Sequence, residues 1–165
     1  MLYFDVPQNV TKEQYYKSLP KKQVGTAILF FNEKKEILLL KPNYKDSWII
    51  PGGANNENES PLECALRETK EEIGLDISKM KLVGIYHSLK NTLYPDSLKF
   101  IFFGGILTDN EISQIKIQNE EIKSYTFKES EEAIPLLSVS LRNSIPDCLK
   151  AIKENTFAYL DEHIP

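Results

Sequence analysis

The stretch SPLECALRETKEEIG, residues 60–74, fixes one helix at both ends. Ser60 is a good N-cap, Pro61 suits the first helical position, and Glu63 stands where a capping box needs it. Gly74 supplies the left-handed stop. The helix therefore runs from about 61 to 73, and the rest of the chain must pack against it. At about 100° per residue, Leu62, Leu66, Thr69 and Ile73 form an apolar stripe, with Ala65 beside it.

On either side lie runs rich in β-branched and aromatic residues. VGTAILFF (24–31) and EILLLK (36–41) read as two strands across the turn NEKK (32–35). PNYKDS is a polar loop, and WIIP (48–51) is a short apolar piece that Gly52 and Gly53 break. MKLVGIYHSL (80–89) and SLKFIFFGGIL (97–107) read as an antiparallel pair across KNTLYPD, and IKSYTF (122–127) as a further strand. TKEQ (11–14) predicts a capping box on Thr11 and a short helix to about Ser18, which Pro20 ends. Helical turns are expected near 129–134. A C-terminal helix is expected over 146–161, with Pro146 in its first turn and Ile145, Leu149, Ile152, Thr156 and Leu160 in one core stripe. This order of strands, helix, strands and helix predicts an α+β chain or mixed α/β/α sandwich rather than a doubly wound sheet. The 165 residues fit a single domain over 1–165, with residues 1–20 as an N-terminal extension.

The charges on the 61–73 helix break a local rule. Glu68, Glu71 and Glu72 lie in its last turns, where the helix dipole disfavours anions. Glu68 and Glu72 are one turn apart with Glu71 between them, so the three can converge on one point. Arg67 and Lys70 point to other sides of the helix. Dipole and mutual repulsion together cost on the order of 1–3 kcal/mol, a large share of a marginal stability. A divalent cation would turn that repulsion into binding, and carboxylates with backbone oxygens and waters suit Mg²⁺ or Mn²⁺.

Bulk properties exclude other classes. The net charge of −4 and the pI of about 5.3 argue against a large nucleic-acid or membrane-binding surface. No stretch approaches the roughly 18 apolar residues of a membrane span. The N-terminus lacks the basic start and apolar run of a signal peptide. Cys64 and Cys148 match no zinc or redox spacing, so a reduced, cytoplasmic protein is expected. His87 and His163 have no Ser or Cys motif around them, which makes a hydrolase triad a poor fit.

Taken together, Gly53, Glu59, Arg67, Glu68, Glu71, Glu72 and Gly74, with Leu75 closing the pattern, resemble the complete signature of the Nudix hydrolase family. Thr69 stands where the pattern usually has an aliphatic residue. SWIIPGG and the strand order extend the likeness over most of residues 22–160. The resemblance implies an α/β/α sandwich with a mixed central sheet. It also implies Mg²⁺-dependent hydrolysis of a nucleoside diphosphate linked to another moiety. Glu68 and Glu72 match the family's metal ligands, with Glu71 as a third ligand or outer partner and a carbonyl of Gly52 or Gly53 as a further one. Arg67 would orient the carboxylates through Glu59. Glu121, with Glu120 second, matches a glutamate that supplies a general base or another ligand, and Glu68 is an alternative base. Tyr44 and Lys41, together with Glu59 and Glu120, are the candidates for facing substrate. Lys45 flanks the same entrance, Tyr94 lies in a polar loop, and Trp48 and Tyr86 read as core aromatics.

The expected partner is a small nucleotide, and a homodimer is common in similar proteins. Two alternatives stay open. One is a catalytically silent nucleotide-binding regulator. The other is a pyrophosphohydrolase of RNA 5′ ends, which Lys12, Lys17, Lys21 and Lys22 leave possible.

Overall fold

The computed structural model describes residues 9–89 and 95–162; Tyr94 and His163 lie outside these. Six strands, β1 (Gln23–Asn32), β2 (Ile37–Pro42), β3 (Lys81–Ser88), β4 (Ser97–Leu107), β5 (Ile122–Lys128) and β6 (Ala158–Asp161), form one sheet in the order β5-β2-β1-β4-β3-β6. β1 and β2 are the expected antiparallel hairpin, paired at Phe31 and Ile37. The Asn32 side chain closes its turn by accepting from the N–H groups of Lys34 and Glu36. β3 and β4 are the second antiparallel pair, and β5 adds to β2. The two hairpins join through β1 and β4, which run parallel from Gln23 opposite Ser97 to Asn32 opposite Leu107. Ile28, Leu29 and Phe30 on β1 and Ile37 to Leu40 on β2 are all fully buried. Continuous apolar runs of this kind belong to strands covered on both faces.

Helices supply the cover. α2 (Pro61–Ile73) packs on β1, where Cys64 Sγ lies 3.4 Å from Thr26 Oγ1. Its ends are as expected, with a capping box on Ser60 and Gly74 at a φ of 75°. α5 (Val139–Glu154) packs on β3 and on β6, and its Cys148 sulfur fills the space a Cβ on Gly84 would take. α4 (Ser130–Leu136) leads into α5. α1 (Lys12–Ser18) and α3 (Asp109–Ser113) are short, and capping boxes on Thr11 and Thr108 start them.

The C-terminal expectation needs correction. The last helix spans Val139–Glu154, not 146–161, and Pro146 sits inside it. Proline there withholds one N–H, but Leu141, Ile145 and Cys148 around it are buried, and that packing offsets the lost bond. The start is held instead by the Ser138 N–H, which donates to the Trp48 carbonyl at 3.1 Å. Asn155 turns left-handed at φ 54° and ends the helix, so residues 158–161 leave it and pair parallel with β3. The α2 stripe also shifts. Leu62 is exposed, while Cys64, Ala65, Thr69, Glu72 and Ile73 are buried.

His87 ties the late strand to the sheet. Its Nδ1 lies 2.9 Å from Asp161 on β6, and its Nε2 lies 2.6 Å from Asp96 at the start of β4. Those bonds, Asp96 first, raise its pKa above the ordinary imidazole value. The folded state therefore holds this proton more tightly. The stabilisation is complete below about pH 6.5 and is lost as pH rises through the raised value. Urea midpoints should fall across that window, and His87→Asn should flatten the fall. An unchanged slope in the variant would remove His87 from the explanation.

Candidate active site

Past Phe31 and Ile37 the two strands of the first hairpin part, and residues 48–54 run between them. Ile49 exchanges backbone bonds with Leu40 on β2, at 2.8 and 2.9 Å. The Pro51 carbonyl accepts from Ile28 at 2.7 Å and the Gly53 carbonyl from Thr26 at 2.8 Å, both on β1. The two glycines allow this strap to lie so close. Gly52 has a φ of 144°, and a Cβ on it would stand 2.2 Å from the Thr26 carbonyl oxygen. A Cβ on Gly53 would stand 2.3 Å from Glu68 Oε1.

The strap brings α2's carboxylates to the sheet. Glu72 is 4% exposed, and its Oε2 accepts from the Gly52 N–H at 2.8 Å. Burial pushes its pKa up to about 8 against that bond, and Glu68, Glu121 and Glu71 add to the rise. Burial also raises Glu68, although Arg67 opposes it. Such displaced carboxyls collected in one place mark functional sites.

Arg67 does not face away from the carboxylates, as the helical projection implied. Its Nε and Nη2 grip Glu59 at 2.8 and 3.0 Å, and its Nη1 bridges Glu68 and Glu71 at 2.8 Å each. A long flexible side chain reaches neighbours that a wheel of Cα positions separates. The Glu59 carboxyl is held down at about 2, first by Arg67 and then by the Asn56 N–H. Lys70 does point elsewhere, to Asp76.

The other candidates divide. Glu121 is exposed, but its charge acts on Glu72 and Glu68. Its carbonyl accepts from Asn43 at 2.8 Å. Tyr44 stands beside the same carboxylates. Partial burial raises its pKa most, then Glu72, Glu121 and Glu68. Glu120 sits one residue back in an exposed turn, its carbonyl taken by Asn43 Nδ2 at 3.1 Å. The Lys41 amine, from β2, bonds the Asp46 carbonyl of the loop that follows and lies 6.0 Å from the Trp48 ring centroid. Among the described residues, neither Lys41 nor the Glu120 carboxylate makes a hydrogen bond or ion pair with Glu68, Glu71 or Glu72. Cys64 and Cys148 are buried free thiols, and burial pushes Cys148 up to about 12, so neither is a nucleophile.

Lys99 is a site residue that no sequence motif marks. It lies on β4 opposite Gly25 and Tyr86, and its amine donates to Ser140 Oγ at 2.8 Å. The signal was a single charge inside the apolar run SLKFIFFGGIL.

Among the described residues, no three acidic, imidazole or thiol groups stand in ligating geometry about one point. Arg67 holds Glu68 and Glu71, and Gly52 holds Glu72. The donor set nevertheless fits a hard cation. Two carboxylates disfavoured by burial adjoin each other, and the missing Cβ of Gly53 leaves the cradle in which the Glu68 carboxylate sits.

The NUDIX domain profile matches residues 21–148. The chain belongs to the Nudix family. This Nudix domain is 30% identical over 116 residues to the mRNA-decapping enzyme subunit 2 of Saccharomyces cerevisiae, a match that takes in 70% of the chain but 11% of the yeast protein. A MutT protein structure from Methanosarcina mazei Go1 is 26% identical, with a TM-score of 0.65 over 84% of this chain and 99% of that one. A UDP-X diphosphatase structure superposes with a TM-score of 0.68 at 22% identity, over 93% of this chain and 76% of that one. That last likeness speaks to the fold.

The raised Glu72 pKa has a measurable consequence. The folded state holds its proton beyond the ordinary value of 4.5, so the stabilisation is complete below that value and is lost as pH rises through about 8. Without divalent metal, Glu72→Gln should be more resistant to denaturant than the wild type at about pH 9 and equal to it near pH 4. Equal resistance at both would contradict burial of the charge.

Proposed function

We propose that this domain is a metal-dependent hydrolase of the pyrophosphate bond in a nucleoside diphosphate linked to a further group. The single observation that carries the reading is Glu72, a buried carboxylate beside Glu68 with a backbone N–H as its hydrogen-bond partner. Glu68 and Glu72 would hold Mg²⁺ or Mn²⁺, with Glu71 outside them and the Gly53 carbonyl as a further candidate ligand. Such an ion, when bound, neutralises phosphate oxygens and acidifies a coordinated water.

The chain's own groups do the rest. Arg67 keeps Glu68 and Glu71 oriented and is itself clamped by Glu59. Glu121 takes the proton of the attacking water. The new bond joins water oxygen to phosphorus, and the bridging P–O bond breaks. A nucleoside monophosphate and the phosphorylated remainder leave. Tyr44 offers an exposed ring beside the carboxylates for a base or sugar.

Hydrolysis at an RNA 5′ end is a second reading, favoured by the likeness to the yeast decapping subunit. Pairing within the N-terminal region weakens it. Lys17 is matched by Glu13, and Lys22 by Asp96. Such pairing leaves less positive charge to meet a phosphate backbone.

The test is phosphate release from nucleoside triphosphates, nucleotide sugars and triphosphorylated RNA, with Mg²⁺ and with chelator. Turnover of a small nucleotide should need the metal, and Glu68→Gln should lower kcat by on the order of 10²-fold or more without changing the circular dichroism. Metal-free turnover, or full activity in the variant, would refute the reading.

A further inference from the structure

Three cavities meet at Lys99, the one described residue that lines all of them. The first, of about 640 Å³, lies between the start of β1, the 53–59 loop and β4. The second, of about 680 Å³, lies between β3, β4 and the start of α5. The third, of about 200 Å³, connects Lys99 and Ser140 to Gly52, Gly53 and Tyr44, and so to the backbone that touches Glu72 and Glu68. Lys99 therefore stands where a molecule entering from any of them would pass.

Its charge has no answer among the described residues. The amine's hydrogen bond goes to a neutral hydroxyl, and no carboxylate among them contributes to its titration. Burial lowers its pKa to about 8, with Lys45 adding to the fall, so it remains a cation at neutral pH. Lys45 lines the second and third cavities beside it, its amine 5.3 Å from the Tyr44 ring centroid. Lys45 also feels the charge of Glu72, and it lines the third cavity together with Lys99, Gly52 and Gly53. The first turn of α5 completes the wall. The Ser138 hydroxyl makes no capping bond there, and the positive end of a 16-residue helix faces the same space. A half-buried ammonium whose one hydrogen-bond partner is a neutral hydroxyl is poorly compensated, and an anion joining it would supply the missing charge.

We propose that Lys99 and Lys45, together with the start of α5, form an anion subsite for a phosphate beyond the scissile pyrophosphate, so that this domain selects 5′-triphosphates over nucleotide sugars. The inference rests on the pyrophosphohydrolase reading for its catalytic consequence. The subsite itself is independent of turnover.

Two measurements separate these. Binding of inorganic tripolyphosphate and of inorganic pyrophosphate, each with Mg²⁺, is measured by calorimetry on wild type, Lys99→Met and Lys99→Arg. Lys99→Met should weaken tripolyphosphate by about tenfold or more, the size of one charge-assisted hydrogen bond. Its pyrophosphate binding should be unchanged, and Lys99→Arg should recover most of the loss. Kinetics then compare a nucleoside triphosphate, a triphosphorylated RNA and a nucleotide sugar. KM should rise in Lys99→Met for the triphosphates, with kcat and the sugar substrate unaffected. A rise for the free nucleotide assigns the subsite to it, and a rise for RNA alone assigns it to an RNA end. Equal weakening of both inorganic ligands, or of neither, overturns the subsite. No turnover on any substrate, with the calorimetric difference intact, refutes the hydrolase reading and leaves the subsite standing.

Discussion

Glu72 is a carboxylate that the fold buries with one N–H for company, and the surrounding structure is arranged around that cost. Keeping such a group in place is worth on the order of a few kcal/mol against folding once it ionises. The chain accepts that cost at the C-terminal end of α2, where the helix dipole adds to it. Every feature nearby answers to it. Gly52 donates its N–H, Gly53 gives up a side chain so that Glu68 can approach, and Arg67 draws Glu68 and Glu71 together while Glu59 clamps the guanidinium.

The sheet makes this possible by parting. Were β1 and β2 paired along their length, no strap could enter between them and α2 would meet only side chains. Because they pair at Phe31 and Ile37 and then diverge, residues 48–54 bring backbone to the carboxylates. The same strap ties both halves of the site. Trp48 accepts from Ser138 and donates to Leu136, so the start of α5 and its serines are set relative to Gly52 and Gly53.

Much of this was legible in the sequence because it is local. Ser60, Glu63 and Gly74 mark α2 by short-range bonds that the residues themselves make, and both hairpins follow from apolar runs and turns. The rest depends on distant partners. The parallel pairing of β1 with β4 joins segments more than sixty residues apart, and no local pattern encodes it. The proline rule misplaced α5 because buried Leu141 and Ile145 outweigh one missing N–H. A helical projection turns Arg67 away from the carboxylates because it ignores side-chain reach. The place of Lys99 is not local either, because its partner Ser140 comes from another element.

The most direct measurement is a crystal structure with Mn²⁺ at millimolar concentration, read by anomalous scattering. The expected map has a peak between Glu68 and Glu72 beside Gly53, with Arg67 still gripping Glu59. A map without that peak, with Glu72 bonded only to Gly52 and Arg67 still spanning Glu68 and Glu71, would contradict a cation site at the end of α2.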